Sequence, residues 1–247
     1  MALPRGTIWG DSGHEKDKGT TQLHAFGTRM FLTDGRVYFY GQTDGAQTAG
    51  AICQSAATVG NHDMDLAVNT ASVGDKSLSV TLGGTAATED QYKDGFAYVN
   101  DGTGEGHIYK IRQHDAISSG AAGTINLYDG DAIAVAFEAA TIVGLVKNPY
   151  KDFIVYPATT SGHAVGVAAT DLDDNDFGWL QTWGLAAVLC DVAFVPGNHV
   201  RVSDNTAGSG EPLDRDGSNE NDEVIGVASL IAPVTTDYGL VNLTIAP

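Results

Sequence analysis

Short apolar runs with period-two alternation, separated by turns of Gly, Asn and Asp, fill most of this 247-residue chain. Leu78–Leu82 alternates apolar and polar side chains, as a half-buried strand does. Phe96–Asn100 and His107–Arg112 flank the turn-rich Asp101–Gly106, and Thr124–Tyr128 and Ala132–Phe137 flank Asp129–Gly130. Further runs are Arg36–Gly41, Phe153–Tyr156, Ala164–Ala168, Trp179–Trp183, Ala187–Cys190, Val200–Val202, Val224–Leu230 and Leu240–Ile245. Each is predicted as a strand. Residues 46–60 are Ala-rich and fit either a helical turn or a strand, and Glu89–Asp94 reads as one exposed helical turn. No long amphipathic helix and no repeat of solenoid length is present.

The pattern predicts an all-β chain of antiparallel barrel- or sandwich-like modules. Residues 1–30 show neither period: Gly6, Gly10, Gly13 and Gly19 interrupt a mostly polar segment. Residues 1–35 are expected to form an extended N-terminal arm that gains order from a partner or a sister subunit. Residues 36–147 are expected to form a first β domain. Residues 148–247, beginning at the linker-like Asn148-Pro149-Tyr150, form a second, acidic one.

An apolar content of 43% is enough for a core, and no apolar run approaches the length of a membrane-spanning helix. The first residues lack the apolar stretch of a signal peptide, so synthesis in a cytoplasm is expected. Cys53 and Cys190 lie in apolar surroundings and read as buried free thiols, and no Cys-x-x-Cys pair points to zinc.

Net charge is −18, which argues against a nucleic-acid partner bound through a broad basic surface. The charge is uneven. Residues 1–36 hold five basic residues, Arg5, Lys16, Lys18, Arg29 and Arg36, against four acidic ones. From Asp152 to Pro247 there are fourteen acidic residues and only Arg201 and Arg215 as bases. The start of the chain is therefore a candidate for contact with an acidic partner, or simply a solvated polar segment.

Motifs for chemistry are weak. Gly102-Thr-Gly104-Glu-Gly106 lacks dinucleotide-loop spacing and precedes a strand, so it reads as a hairpin loop. Asp171-Leu-Asp173-Asp174-Asn175-Asp176 begins like a calcium loop, but Asp176 replaces the needed Gly and Thr182 the bidentate Glu. Asp214–Glu223 is a second acidic loop. The seven His form no metal-ligand spacing, no nucleophile elbow is present, and no catalytic residue and no cofactor is assigned. Trp179 and Trp183, four apart, would share one face of a regular strand, either as packing or subunit-interface aromatics or as a sugar-stacking platform.

Several segments resemble one family. They are Phe177–Cys190, Gly197–Asp204, Val224–Ala228 and Asp237–Ile245, with Gly13–Asp17, Gly27–Met30, Asp34–Tyr38 and Tyr98–Ile111. Together they are similar to tailed-phage head-decoration or capsid-associated structural proteins over most of the chain. The resemblance implies a noncatalytic capsid decoration (cement) protein on the outer head surface of the virion, partnered by the major capsid protein. It also implies a homo-oligomer, expected to be a trimer, with no membrane or nucleic-acid partner. Arg5, Lys16, Lys18, Arg29 and Arg36 are then the arm residues that would pair with the shell or with sister subunits. The alternatives are a fibre- or tail-associated receptor- or glycan-binding virion protein and, more remotely, a hydrolase of surface polymers.

Overall fold

A computed structural model of the chain describes residues 6–214, 223–230 and 236–247. The fold is all-β. Among the described residues the only helical element is a single 3-10 turn, His14–Lys16. Two compact units are present, and the division is not the sequential one expected. Residues 57–148 form one unit, and residues 1–56 and 149–247 together form the other. One join between the two units falls between Asn148 and Pro149. The stretch 36–56, expected to belong with the block that follows it, instead pairs with strands more than a hundred residues further on.

In the discontinuous unit the strands are β1 (Thr7–Gly10), β2 (Arg29–Leu32), β3 (Val37–Thr43) and β4 (Ile52–Gln54), then β11 (Lys151–Val155), β12 (Ala164–Ala168) and β13 (Phe177–Leu189). The last four are β14 (His199–Val202), β15 (Gly210–Pro212), β16 (Val224–Ala228) and β17 (Tyr238–Thr244). Hydrogen bonding runs β3–β11–β4–β12–β13 and returns from β13 to β3, so five strands close into a small barrel. Closure removes the exposed edges those strands would otherwise carry. Cys53, Phe153, Val165, Leu172 and Leu180 form one buried cluster of this unit.

The thirteen-residue β13 joins the barrel to the rest of one eleven-stranded sheet. Its first half pairs with β3 and β12, and its second half runs on into β17, β16, β14 and β15. Those strands share one core with barrel residues: Ile52, Ala164 and Val167 are buried together with Val188, Phe194, Val200, Ile225, Val241 and Leu243.

The inserted unit contains β5 (Leu66–Ala67), β6 (Ser77–Thr81), β7 (Phe96–Asp101), β8 (Ile108–His114), β9 (Ala122–Leu127) and β10 (Ile142–Val146). They pair antiparallel in the order β5–β10–β7–β8–β9–β6, and a bridge from Val68 to Val80 links the two ends of that order. Its interior is one cluster that includes Leu78, Val80, Tyr92, Ile111, Ile125, Leu127 and Phe137. Two local expectations are corrected here. Glu89–Asp94 is a turn rather than an exposed helical turn, and Tyr92 and Asp94 are buried. Ala132–Phe137 is not a strand: Ile133 and Phe137 enter the core as two anchors four residues apart, with only one bridge, Phe137 to Ala71.

Turn chemistry explains why polar residues so regularly precede strands. Ahead of β6, β10, β13 and β14 the N–H that opens the turn donates to a side chain three residues on. The pairs are Ser72 with Asp75, Glu138 with Thr141, Asp173 with Asp176 and Val195 with Asn198. Each turn is also closed by a backbone bond in the reverse direction. Local side-chain acceptors of this kind compete with regular structure and so fix where a strand begins. The glycine-rich loop Gly102–Gly106 is a hairpin between β7 and β8, closed by Gly106 N–H donating to Val99 O at 2.9 Å.

Candidate functional site

The N-terminal segment is built into its own unit from Gly6 onward, which corrects the expectation of an extended arm over residues 1–35. β1 pairs in parallel with β2, and β2 in antiparallel with β3. Gly19 bridges to Phe177 of β13 through two backbone bonds of 3.1 and 2.8 Å. Met30 and Leu32 are buried with Tyr38, Tyr40 and Trp179. The segment has no sequence period because its apolar anchors are spaced by turns, yet together they cover one side of β3 and β13.

The candidate basic residues are therefore distributed differently from an arm. Arg5 lies outside the described residues. Lys16 is exposed on the 3-10 turn. Lys18 Nζ donates to Asp173 Oδ2 at 3.2 Å and lies 3.5 Å from Asp176 Oδ2; these carboxylates raise its pKa. Arg36 is partly buried, and burial alone would lower its pKa. Its hydrogen bond to Asp34 at 2.7 Å, with Glu15 at 3.7 Å, outweighs that and raises it. Arg36 also donates to Tyr38 Oη at 2.8 Å. Arg29 donates to the carbonyl of Pro247 at 2.9 Å and lies over the Phe31 ring at 4.7 Å. Lys18 and Arg36 thus hold the unit's own turns.

What the segment presents outward is aromatic. Trp9 on β1 is 77% exposed and stacks on Phe31 at 5.5 Å, and Arg29 sits over the same Phe31 ring. β1 ends the sheet order, so one of its two hydrogen-bonding edges has no strand partner among the described residues. An edge strand with free N–H and C=O groups, flanked by an exposed indole, is a surface onto which another chain can add. Sequence reasoning missed Trp9. The only signal was its apolar pairing with Ile8 inside an otherwise polar stretch.

Trp179 and Trp183 do not share a face. The register with β3 slips between Gln181 and Trp183, so the alternation breaks between the two indoles. Trp179 is 4% exposed and packs edge-on to Tyr40 at 5.1 Å, whereas Trp183 is 37% exposed. No two-indole platform exists. A pocket of about 240 Å³ lies beside Trp179, bordered by His14, Lys18, His24, Tyr40 and Phe177. Burial lowers the pKa of His24. A larger groove of about 540 Å³ is lined by Glu15, Lys16, Arg36, Asp171, Leu185 and Tyr238 among others.

The acidic loop before β13 is occupied by backbone N–H groups, two of them from the segment 45–49. Asp171 Oδ1 accepts from Ala49 N–H at 2.8 Å, Asp174 Oδ1 from Gly45 N–H at 2.8 Å and Asp176 Oδ2 from Asp173 N–H at 3.0 Å. Among the described residues no group of three or more His, Cys, Asp and Glu side chains converges as a metal site. Of the second acidic loop, Arg215 to Asp222 lie outside the described residues. His62, Tyr92 and His114 meet in the core of the inserted unit, but their polar atoms are used internally. His62 contacts Tyr92 Oη at 2.5 Å and Thr85 O at 2.8 Å. His114 Nε2 accepts Tyr92 N–H at 3.0 Å, which places its ring proton on Nδ1, facing Asp115 O at 2.7 Å. Such an arrangement fixes a turn and offers no open position for a substrate. Cys53 and Cys190 are buried free thiols, and burial pushes the Cys190 thiol up to about 11.

No family model, no curated protein and no solved structure matches this chain.

Proposed function

We propose that this chain is a noncatalytic structural protein of a tailed-phage virion, a decoration (cement) protein that binds the outer head surface through the major capsid protein and self-associates. The observation that carries the reading is the N-terminal edge. A strand whose outer edge has no partner among the described residues presents Trp9 stacked on Phe31, with Arg29 beside it, at the end of the sheet. The segment resemblances to head-decoration proteins and the closed, turn-rich β units support the same reading. The acidic remainder of the chain limits nonspecific adhesion to released DNA.

In this reading the contact is made by strand addition and an aromatic anchor, with Arg29 as its charged neighbour, rather than by a loose basic arm. Shell stability follows by mass action, because a protein that binds only the assembled shell shifts the equilibrium toward it. The test is co-sedimentation of purified protein with expanded capsids that lack it. The expected result is saturable binding that Trp9→Ala weakens about tenfold or more, the effect of losing an interface aromatic anchor. Absence of binding by the unaltered protein would end the proposal.

A further inference from the structure

Beside Trp179 the N-terminal segment does not seal the sheet but leaves the cavity of about 240 Å³. Its walls are set by register. Tyr40 of β3 lies opposite Trp179 of β13, and Phe177, two residues before Trp179, shares its face because the register slips only after Gln181. Gly19, bridged to Phe177, and His24 bring the segment over these rings. The Tyr40 and His24 rings stand at 88° with centroids 5.0 Å apart, Tyr40 and Trp179 at 65° and 5.1 Å, and His24 and Trp179 at 45° and 5.5 Å. Phe177 lies 6.1 Å from Tyr40 and nearly parallel to it. Steeply inclined rings make the walls of a box rather than a stack, and buried Met30 adds its thioether to them.

The charges around the mouth decide what such a box holds. Lys18 Nζ lies 3.2 Å from Asp173 and 3.5 Å from Asp176, and Asp17 also lines the cavity, so one cation stands against three carboxylates. His14 Nδ1 accepts Asp11 N–H at 2.9 Å and is therefore unprotonated. Burial holds the His24 pKa below 6.5, and its buried Nδ1 has no hydrogen-bond partner among the described residues. Near neutral pH that ring is an uncharged wall and not a rival cation. An anion would meet an excess of negative charge at the mouth and across a chain of net charge −18. A cation meets that negative charge outside and the negative faces of the rings inside. A metal ion or a primary ammonium would give up hydration that apolar walls cannot replace. A quaternary ammonium carries its charge beneath an apolar shell of methyl groups and loses little on entry.

We propose that this cavity binds a quaternary ammonium group of the kind choline carries, with Tyr40, Phe177 and Trp179 as its aromatic walls and Asp17 as the carboxylate at its mouth. The volume suits a group of that size, being below the roughly 300 Å³ at which pockets for drug-sized ligands begin. The same group occurs on free solutes and on the headgroups of a phosphatidylcholine surface. Ile8 lines the cavity, and neighbouring residues of a strand point to opposite faces, so Trp9 faces away from it. Binding here is therefore separate from attachment to a capsid through Trp9.

The test is saturation-transfer NMR on the N-methyl protons of choline chloride, titrated against the purified full chain without capsids near neutral pH. Binding is expected with a dissociation constant of about 0.1–10 mM, the range for a ligand of so few atoms. The uncharged carbon isostere of choline, a dimethylbutanol, should bind at least about tenfold more weakly. Phe177→Leu removes one ring but keeps apolar bulk and should weaken choline about three- to tenfold. Asp17→Asn should weaken choline and Lys18→Gln should tighten it, each about two- to fivefold at low salt and less at about 0.5 M sodium chloride. Both rim positions are exposed, so if Phe177→Leu melts, their opposite signs still decide. Trp9→Ala should leave choline binding unchanged. Phosphatidylcholine vesicles separate the two sources: co-sedimentation that excess choline abolishes assigns a headgroup, and choline binding without co-sedimentation assigns a free solute. No choline binding, equal binding of the neutral alcohol, or rim variants that both leave affinity unchanged would overturn the proposal. Choline binding by a chain that fails to bind capsids would instead count against the virion reading alone.

Discussion

Replacing Trp179 with Ala tests whether the N-terminal segment is part of the folded unit. The indole is 4% exposed and lies among Met30, Leu32, Tyr38 and Tyr40, with His24 at 5.5 Å. Deleting a buried Trp costs about 3–5 kcal/mol from lost transfer energy and the residual cavity. The edge-on contact with Tyr40 is included in that range and accounts for about 0.5–1.5 kcal/mol of it. For a unit of this size each kcal/mol lowers the melting temperature by about 2–4 °C, so the expected loss is about 6–20 °C. Trp183→Ala is the internal control. At 37% exposure it should cost no more than about 1 kcal/mol in dilute protein. The assay is chemical denaturation of both variants followed by limited proteolysis, with cleavage mapped within residues 6–35. Trp179→Ala should open that segment to protease at denaturant concentrations where the unaltered chain is resistant. Equal costs for the two indoles, or a loss below about 1 kcal/mol for Trp179→Ala, would refute the packing argument.

Three further outcomes are expected. Burial holds His24 below its usual pKa of 6.5, so the unfolded chain takes up the proton first. Its contribution to stability is present above that value and is lost as pH falls through and below it, and His24→Gln should flatten the melting profile there. Arg201 is buried against Glu211, whose pKa is raised because burial outweighs the arginine's opposing pull. Arg201→Leu should cost about 3–5 kcal/mol by leaving that carboxylate uncompensated, and adding Glu211→Gln should recover part of the loss on urea denaturation. Gly102 has φ +85°, and a Cβ there would lie 2.5 Å from Ala140 O, so Gly102→Ala should destabilise the inserted unit by about 1–3 kcal/mol, read by hydrogen exchange in β7 and β8.

Strand existence was legible wherever alternation or a buried apolar run was bounded by turn residues, as for β6, β8, β12 and β16. The fold class followed from that alone. Chain order did not reveal the inserted unit, because the pairing of β3 and β4 with β11, β12 and β13 is nonlocal. The same holds for the N-terminal segment. Phe26, Met30 and Leu32 carry no period, and the face they cover is formed by residues that arrive much later in the chain. The two tryptophans show the local limit: a spacing of four fixes a shared face only in an unbroken strand, and the slip after Gln181 cancels it. The acidic loop before β13 was legible as acidic, but its role in accepting backbone N–H groups was not, since those donors come from residues 45 and 49. Among site features, Trp9 was visible only as an apolar residue out of place.

The most direct measurement of the functional account is electron cryomicroscopy of virions containing this chain. The account predicts regular density on the outer head surface, with β1 and Trp9 against the shell. Density confined to the tail or its fibres, or a head contact made without β1, would contradict it.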